Sequence, residues 1–207
     1  SRVDVGCYRA IALDAGDRIE IAAPETGLRQ YLALRGGIAA PLILGSRSYD
    51  SLAALGSPPV QVGELLAQAD AETTAVQVEP LSIPTLPRVG DTVQLDIVLG
   101  PRTDWFSSES VDLLLKQTWQ VSADSNRVGL RLQGQQALQR SQMQELPSEG
   151  TCTGALQVPP NGQPVLFMND HPLTGGYPVI AAVAPHHLSL VAQIPAGCQI
   201  QFRQISE

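Results

Sequence analysis

The sequence predicts a mainly β fold, a closed or nearly closed barrel or a sandwich. Gly (18) and Pro (16) cut the 207-residue chain into short runs rich in Val, Ile and Leu, the pattern of strands between turns. Several runs alternate. In Val93-Gln94-Leu95-Asp96-Ile97-Val98-Leu99 the odd positions are apolar, so one face belongs to a core and the other stays mostly wet. Helix signals are few, and many short strands with few helices close into barrels or stack as sandwiches.

In chain order, the runs that read as strands are Arg18–Ala23, Gln30–Arg35, Thr92–Leu99, Arg127–Gln133, Cys152–Val158, Val165–Asn169, Pro178–Val183, Leu188–Ile194 and Gln199–Ile205. A turn-then-strand unit recurs as Ala15-Gly16-Asp17, Val89-Gly90-Asp91 and Ala196-Gly197-Cys198, each followed by alternation. The unequal spacing makes it a repeated lead-in to a strand and not a solenoid repeat. Ser107-Ser108 before Glu109–Leu115 supplies an N-cap, an early acid and an apolar run, and so predicts a helix. Val62–Ala69 and Gln135–Gln142 read as two more short helices. Between Ala71 and Val89 the text turns polar and then proline-rich (Pro80, Pro84, Pro87), as a linker does. The expected division is residues 1–70, a connection over 71–90, and a barrel-forming part over 91–207.

Composition narrows the function classes. An apolar fraction of 43% supports a real core, with aromatics at only 4% of the chain. The net charge is -7, and the 13 Lys and Arg never cluster, which argues against a nucleic-acid partner. No apolar run reaches the roughly 18 residues of a membrane helix. Ser1-Arg2-Val3-Asp4 carries no signal-peptide core. Cys7, Cys152 and Cys198 are odd in number and fit no zinc spacing, so they read as free, buried thiols of a reducing compartment, the cytoplasm. Val3 to Leu13 already reads as strand sequence, as if the fold had begun earlier.

Three segments spend glycine, charge and small polar residues where a plain sheet would not. In the first, a strand ends in Arg35-Gly36-Gly37 and is followed by Gly45-Ser46-Arg47-Ser48. Glycines allow close backbone approach. Free N–H groups, hydroxyls and a guanidinium suit a carboxylate or phosphate. A tight turn with Arg47 paired to Asp50 is the alternative, and no P-loop is present. In the second, Arg127, Gly129, Arg131 and Gln133 share one strand face, either to grip an anion or simply as a solvated face. The third runs from Ser148-Glu149-Gly150 through Gln157 and Pro159-Pro160-Asn161-Gly162 to the loop Asp170-His171-Pro172-Leu173-Thr174-Gly175-Gly176-Tyr177. There His171 suits general acid–base work, with Asp170 to orient it or to hold a metal, unless the loop is structural and capped by its own Asp and Thr. His186-His187 reads as two exposed imidazoles in a turn; a metal pair is the alternative.

Taken in this order, the segments resemble the family of the 5-oxoprolinase C subunit, also called the Kip-antagonist or allophanate hydrolase subunit 2 family. Its carboxyltransferase-like domain recurs in urea carboxylase. Gly27 to Gly37 with Gly45–Ser48 is similar to the family's "Y-L-A-x-x-G-G … L-G-S-R-S". Asn126 to Gly134 resembles its "N-R-x-G-x-R-L-x-G". Ser148-Glu149-Gly150, Gly154 to Pro164 and Thr174-Gly175-Gly176-Tyr177-Pro178 resemble its third signature. The resemblance implies a cyclophilin-like β-barrel with a few short helices. It also implies that the N-terminal part of the family fold, with a Gln-Asp-x-Gly-Arg segment, is missing here.

In function the resemblance implies one component of an ATP-dependent hydrolase that opens the 5-oxoproline lactam to glutamate. Its partners would be a subunit-B-like (Kip-inhibitor-like) protein and a subunit-A-like protein. ATP with Mg²⁺ would be the cofactors, and no biotin would be attached to this chain. Asp170, His171, Arg127 and Glu149 would be catalytic, with Glu149 or Asp170 as base or metal holder. Arg35, Gly36, Gly37, Ser46, Arg47, Ser48, Arg131, Gln157, Thr174, Gly175, Gly176 and Tyr177 would bind substrate or anion. Two other readings stay open: carboxyl transfer to urea or a related amide, and a non-catalytic binding partner of a Kip-inhibitor-like protein. Leu173 stands where the family's loop more often has a hydroxyl, so a hydrogen bond made there by relatives is lost here.

Overall fold

A computed structural model describes residues 4–70 and 84–206 of the chain. It divides into two compact units, Ser1–Ala23 with Gln30–Thr85, and Pro24–Arg29 with Leu86–Glu207.

Among its described residues, the first unit consists of turns joined by isolated bridges, Ile38 to Gln68, Ile43 to Ser46 and Asp50 to Leu55. The strands expected over Arg18–Ala23 and Gln30–Arg35 do not form. Alternation marks a chain that would fit a sheet, but a strand needs a neighbouring ladder for its N–H and C=O groups. None lies alongside among the described residues, and Ile21 and Tyr31 stay 55% and 80% exposed. The helix expected over Val62–Ala69 is also absent. Gly63 sits at φ +83°, which breaks a helix, and Gln68 bridges Ile38 instead.

The second unit is the barrel. Its elements are β1 (Thr92–Leu99), α1 (Ser108–Lys116), β2 (Trp119–Val121), β3 (Gly129–Gln133), β4 (Glu149–Gly150), β5 (Ala155–Gln157), β6 (Val165–Phe167), β7 (Thr174–Gly175), β8 (Val179–Val183), α2 (Leu188–Val191) and β9 (Gln199–Gln204). The closed order is β1-β8-β5-β6-β3-β2-β9, and β4 and β7 form a separate two-stranded ribbon. The expectation of a mainly β barrel with few short helices is thus met. β9 closes the barrel by pairing parallel to β1, from Thr92 beside Gln199 to Ile97 beside Gln204. Two copies of the recurring turn unit lead these two strands, with Gly90 and Gly197 both left-handed at φ +95° and +90°. The third copy makes its turn at Gly16, φ +96°, but no strand follows.

Alternation does its work in the core. Val93, Leu95 and Ile97 of β1 point inward with Leu130 and Leu132 of β3, Leu156, Leu166, Ile180 and Ile200. At roughly 25 cal/mol per Å² of apolar surface removed from water, such burial is the main stabilising term. Ser107 caps α1 by accepting the Ser110 N–H at 3.2 Å.

Two more expectations are corrected here. Leu188–Ile194 begins with the helical turn of α2, not a strand. Pro185 opens a 3₁₀ turn, and the Ala192 N–H closes on Leu188 C=O. Gln135–Gln142 is not a helix, because its backbone bonds leave the segment: Leu138 N–H to Gly162 C=O, Ser141 N–H to Trp105 C=O. Of the cysteines, only Cys198 is buried; Cys7 and Cys152 are exposed because they lie in bend and loop segments outside the sheet. Burial pushes the Cys198 thiol up, and its Sγ–H donates to the Arg88 carbonyl.

The closing seam carries a charge cluster on the outside of the barrel. Asp96 of β1 stands beside Arg203 of β9 and is only 6% exposed. Arg203 donates to both carboxylate oxygens, at 2.7 and 3.0 Å, and His186 Nε2–H donates at 3.1 Å. The Arg203 hydrogen bonds, against opposing burial and with help from His186, hold Asp96 down at about 2. A depressed carboxyl stabilises the fold above the ordinary aspartate range and loses that contribution as pH falls through its folded value. Asp96→Asn should therefore lower Tm at pH 7, and thermal melts should show the gap to the parent narrowing from about pH 4 towards pH 2.

Candidate functional site

The β4–β7 ribbon gathers most of the third segment. Glu149 and Gly150 pair with Gly175 and Thr174, and the Thr151 N–H donates to Leu173 C=O at 3.0 Å. Beneath the ribbon lies Gln157 of β5, 6% exposed, whose Nε2 donates to the Tyr177 carbonyl at 3.0 Å. A Cβ on residue 175 would stand 2.4 Å from that Nε2, so glycine leaves the room Gln157 needs.

His171 is fixed at the same place. Its ring stacks on Phe167, centroids 5.6 Å apart and planes 15° from parallel. Its Nδ1 lies 2.7 Å from the Pro172 carbonyl and 3.0 Å from Thr151 Oγ1. A carbonyl only accepts, so this network assigns the proton to Nδ1. The Thr151 hydroxyl is itself spent on Pro172 C=O. In the neutral ring the lone pair is then on Nε2, which makes that atom the base.

Two ion pairs flank it. Arg127 Nη2 stands 2.9 Å from Asp170 Oδ2. Among the described residues no N–H is well directed at that oxygen, so the attraction to Arg127 is one of charge rather than of a directed hydrogen bond. The backbone sets the pair, through Met168 N–H to Val128 C=O and Asp170 N–H to Arg127 C=O. On the other side Arg102 forks onto Glu149, Nε to Oε2 at 3.0 Å and Nη2 to Oε1.

The structure thus brings together Glu149, Gln157, Asp170, His171, Thr174, Gly175, Gly176 and Tyr177, with Arg127 reaching them through Asp170. Arg131 stands apart on the exposed face of β3, with no carboxylate in ion-pair range among the described residues. Arg102 and Arg140 are the residues that sequence reasoning missed. Arg102 follows the Gly100-Pro101 turn, and Arg140 was absorbed into an expected helix; neither carried a local signal.

In the first unit, Gly36 and Arg47 line one open hollow of about 630 Å³ with Gln68 and Asp70. Gly36 and Gly37 are left-handed, at φ +81° and +82°. Arg47 Nε donates to Ala40 C=O at 3.0 Å, and the Gln68 side chain donates to Arg35 C=O. Ser46 Oγ accepts the Ser48 N–H at 3.0 Å, so the hydroxyl of Ser46 serves its own turn.

Metal chemistry fits the described residues poorly. Among the described residues the one group of three clustered ligands is Asp96, His186 and His187. There Arg203 occupies both Asp96 oxygens, and His187 Nδ1 accepts the Asp96 N–H at 2.9 Å. Burial, then the nearby His186, pulls the His187 pKa down. A guanidinium and a committed imidazole make this cluster a structural one. Glu149 and Asp170 each face a guanidinium and join no such group, so they do not make the oxygen shell that Mg²⁺ requires. Among the described residues no helix is long and apolar enough to cross a membrane.

Comparison with known proteins identifies the family of this chain. The chain is 38% identical over 200 residues to the C subunit of 5-oxoprolinase from Escherichia coli (strain K12), covering 95% of this chain and 62% of that protein. It is 31% identical to the C subunit of 5-oxoprolinase from Haemophilus influenzae, covering 98% of this chain and 64% of that protein. The chain therefore spans less than two thirds of the length of these relatives. The crystal structure of Kluyveromyces lactis urea carboxylase matches with a TM-score of 0.77 and 28% identity, over 87% of this chain and 18% of that one. The resemblance read from the three motifs is borne out. With a family model matching residues 1–204, the chain belongs to the family described as carboxyltransferase domain, subdomain A and B.

Proposed function

We propose that this chain is the subunit-C-like component of an enzyme that opens the 5-oxoproline lactam at the expense of ATP, in complex with subunit-B-like and subunit-A-like partners. The observation that carries the reading is His171, held with its Nε2 lone pair available beside a glycine ribbon and two guanidinium–carboxylate pairs. The likeness to two proteins named as the C subunit of 5-oxoprolinase supports it.

The chemistry asked of this chain is activation of an amide. His171 Nε2 takes the lactam N–H proton, and the electron pair of that N–H bond delocalises through the amide onto the carbonyl oxygen, which becomes the nucleophile. Negative charge gathers on that oxygen, and Arg127 is the cation placed to face it. ATP and Mg²⁺ find no fitted ligand set on the described residues, so no step is routed through them here. The test is ATP hydrolysis by the three co-purified proteins. Turnover that needs both 5-oxoproline and this chain is expected; turnover indifferent to either overturns the reading.

Asp170→Ala should lower that turnover by about 10²-fold, because Arg127 loses the group that positions it. Stability should stay within about 1 kcal/mol, since Arg127 is 57% exposed and water solvates it once the carboxylate is gone. Steady-state kinetics and a thermal melt of the same complex check both halves.

A second reading, carboxyl transfer to urea or a related amide, is favoured by the likeness to the Kluyveromyces lactis urea carboxylase. It requires a biotinylated partner, and avidin capture of such a partner with this chain would support it.

A further inference from the structure

Arg140 is a guanidinium with no counter-ion among the described residues. It is half-buried, and among the described residues no carboxylate of the chain lies within ion-pair distance of it. Its Nη2 donates to the Val158 carbonyl, and its Nε is fully enclosed with no acceptor facing it among the described residues. The remaining neighbour is the ring of Tyr177, whose centroid is 5.7 Å from Arg140 Cζ. Burial pulls its pKa below the ordinary arginine value, with the Tyr177 phenol opposing.

Two other guanidinium groups each have a carboxylate: Arg102 has Glu149, and Arg127, at the opposite end of β3 and β6, has Asp170. Enclosing a cation with no anion is costly unless a ligand supplies one. Its surroundings are those of the ribbon. Tyr177 ends the Thr174–Tyr177 loop, its carbonyl is held by Gln157, and Val158 is the next residue after Gln157 on β5. The Arg140 backbone is fixed by an isolated bridge to Phe106.

We infer that Arg140 is the carboxylate anchor of this site and sets its preference for an amide substrate that itself carries a carboxylate group. This rests on the amide reading of the ribbon. The guanidinium takes the carboxylate, and the Tyr177 ring covers its face.

The test compares 5-oxoproline with 2-pyrrolidinone, the same lactam without the carboxylate. Calorimetric titration of each into the complex of this chain with its partners is expected to show tighter binding of 5-oxoproline by about 10²-fold. Arg140→Met should abolish that preference by weakening 5-oxoproline alone, and Arg140→Lys should restore part of it, because the charge remains but the planar fork is gone. In turnover the Met variant should raise KM with kcat little changed. Equal binding of the two lactams by the parent complex, or an unchanged preference in Arg140→Met, overturns the inference. The parent comparison needs no variant, so a misfolded Arg140→Met leaves the question answerable. Arg140-dependent binding without ATP turnover would sink the oxoprolinase reading and leave the anchor standing; turnover with Arg140-independent binding would do the reverse.

Discussion

Replacing His171 by glutamine should reduce 5-oxoproline-dependent turnover of the complex by about 10²- to 10⁴-fold, the span of general acid–base contributions. Glutamine approximates the size and can still donate to the Pro172 carbonyl, but it offers no imidazole lone pair. The fold should tolerate it, since His171 is half-buried and loses only its stacking on Phe167. Rescue by free imidazole separates the proton role from a structural one. Added imidazole should restore part of the variant's rate, because it supplies the missing lone pair. A variant that imidazole leaves equally slow, with its thermal melt lowered against the parent's, would point to packing instead.

The largest stability effect should come from Trp119→Ala, at about 3–5 kcal/mol. Trp119 is fully buried, and its Nε1–H donates to the Leu114 carbonyl at 3.0 Å, tying β2 to the end of α1. Gly134 makes way for the indole: a Cβ there would come within 2.7 Å of Trp119 Cζ3. Truncation leaves a cavity at a point where a helix and two strands meet, and frees the Leu114 carbonyl. Against a typical total of about 5–15 kcal/mol, that loss is a large share of the barrel's stability. Urea titration followed by far-ultraviolet circular dichroism should show an earlier midpoint with the slope unchanged. A midpoint within experimental error of the parent's would mean that the indole is not the core element described.

How far the sequence could be read depended on the range of the contacts. β1 was legible residue by residue, because its alternation is local and its inner face is buried. The burial of Asp96 was not, because Arg203 and His186 cover it from 107 and 90 residues away. Likewise His171 was legible as a candidate base, but its tautomer required Pro172 C=O and the turn that Thr151 makes with it. The Arg102–Glu149 fork spans 47 residues and left no trace in either segment. Leu188–Ile194 was misread because Leu188, Leu190, Val191 and Ile194 fit a strand as well as a helix; Pro185 decided it. In the first unit, alternation alone was not enough, since a strand pattern supplies no partner strand.

The central claim is that His171 is held as its Nδ1–H tautomer, with its lone pair on Nε2. The most direct measurement is the ¹⁵N chemical shifts of the two His171 ring nitrogens at neutral pH, in the chain labelled at histidine. The account predicts a protonated, pyrrole-like Nδ1 and an unprotonated, pyridine-like Nε2. A protonated Nε2 with a bare Nδ1 would contradict it, because the carbonyl of Pro172 would then face a lone pair and the base would point into its own loop.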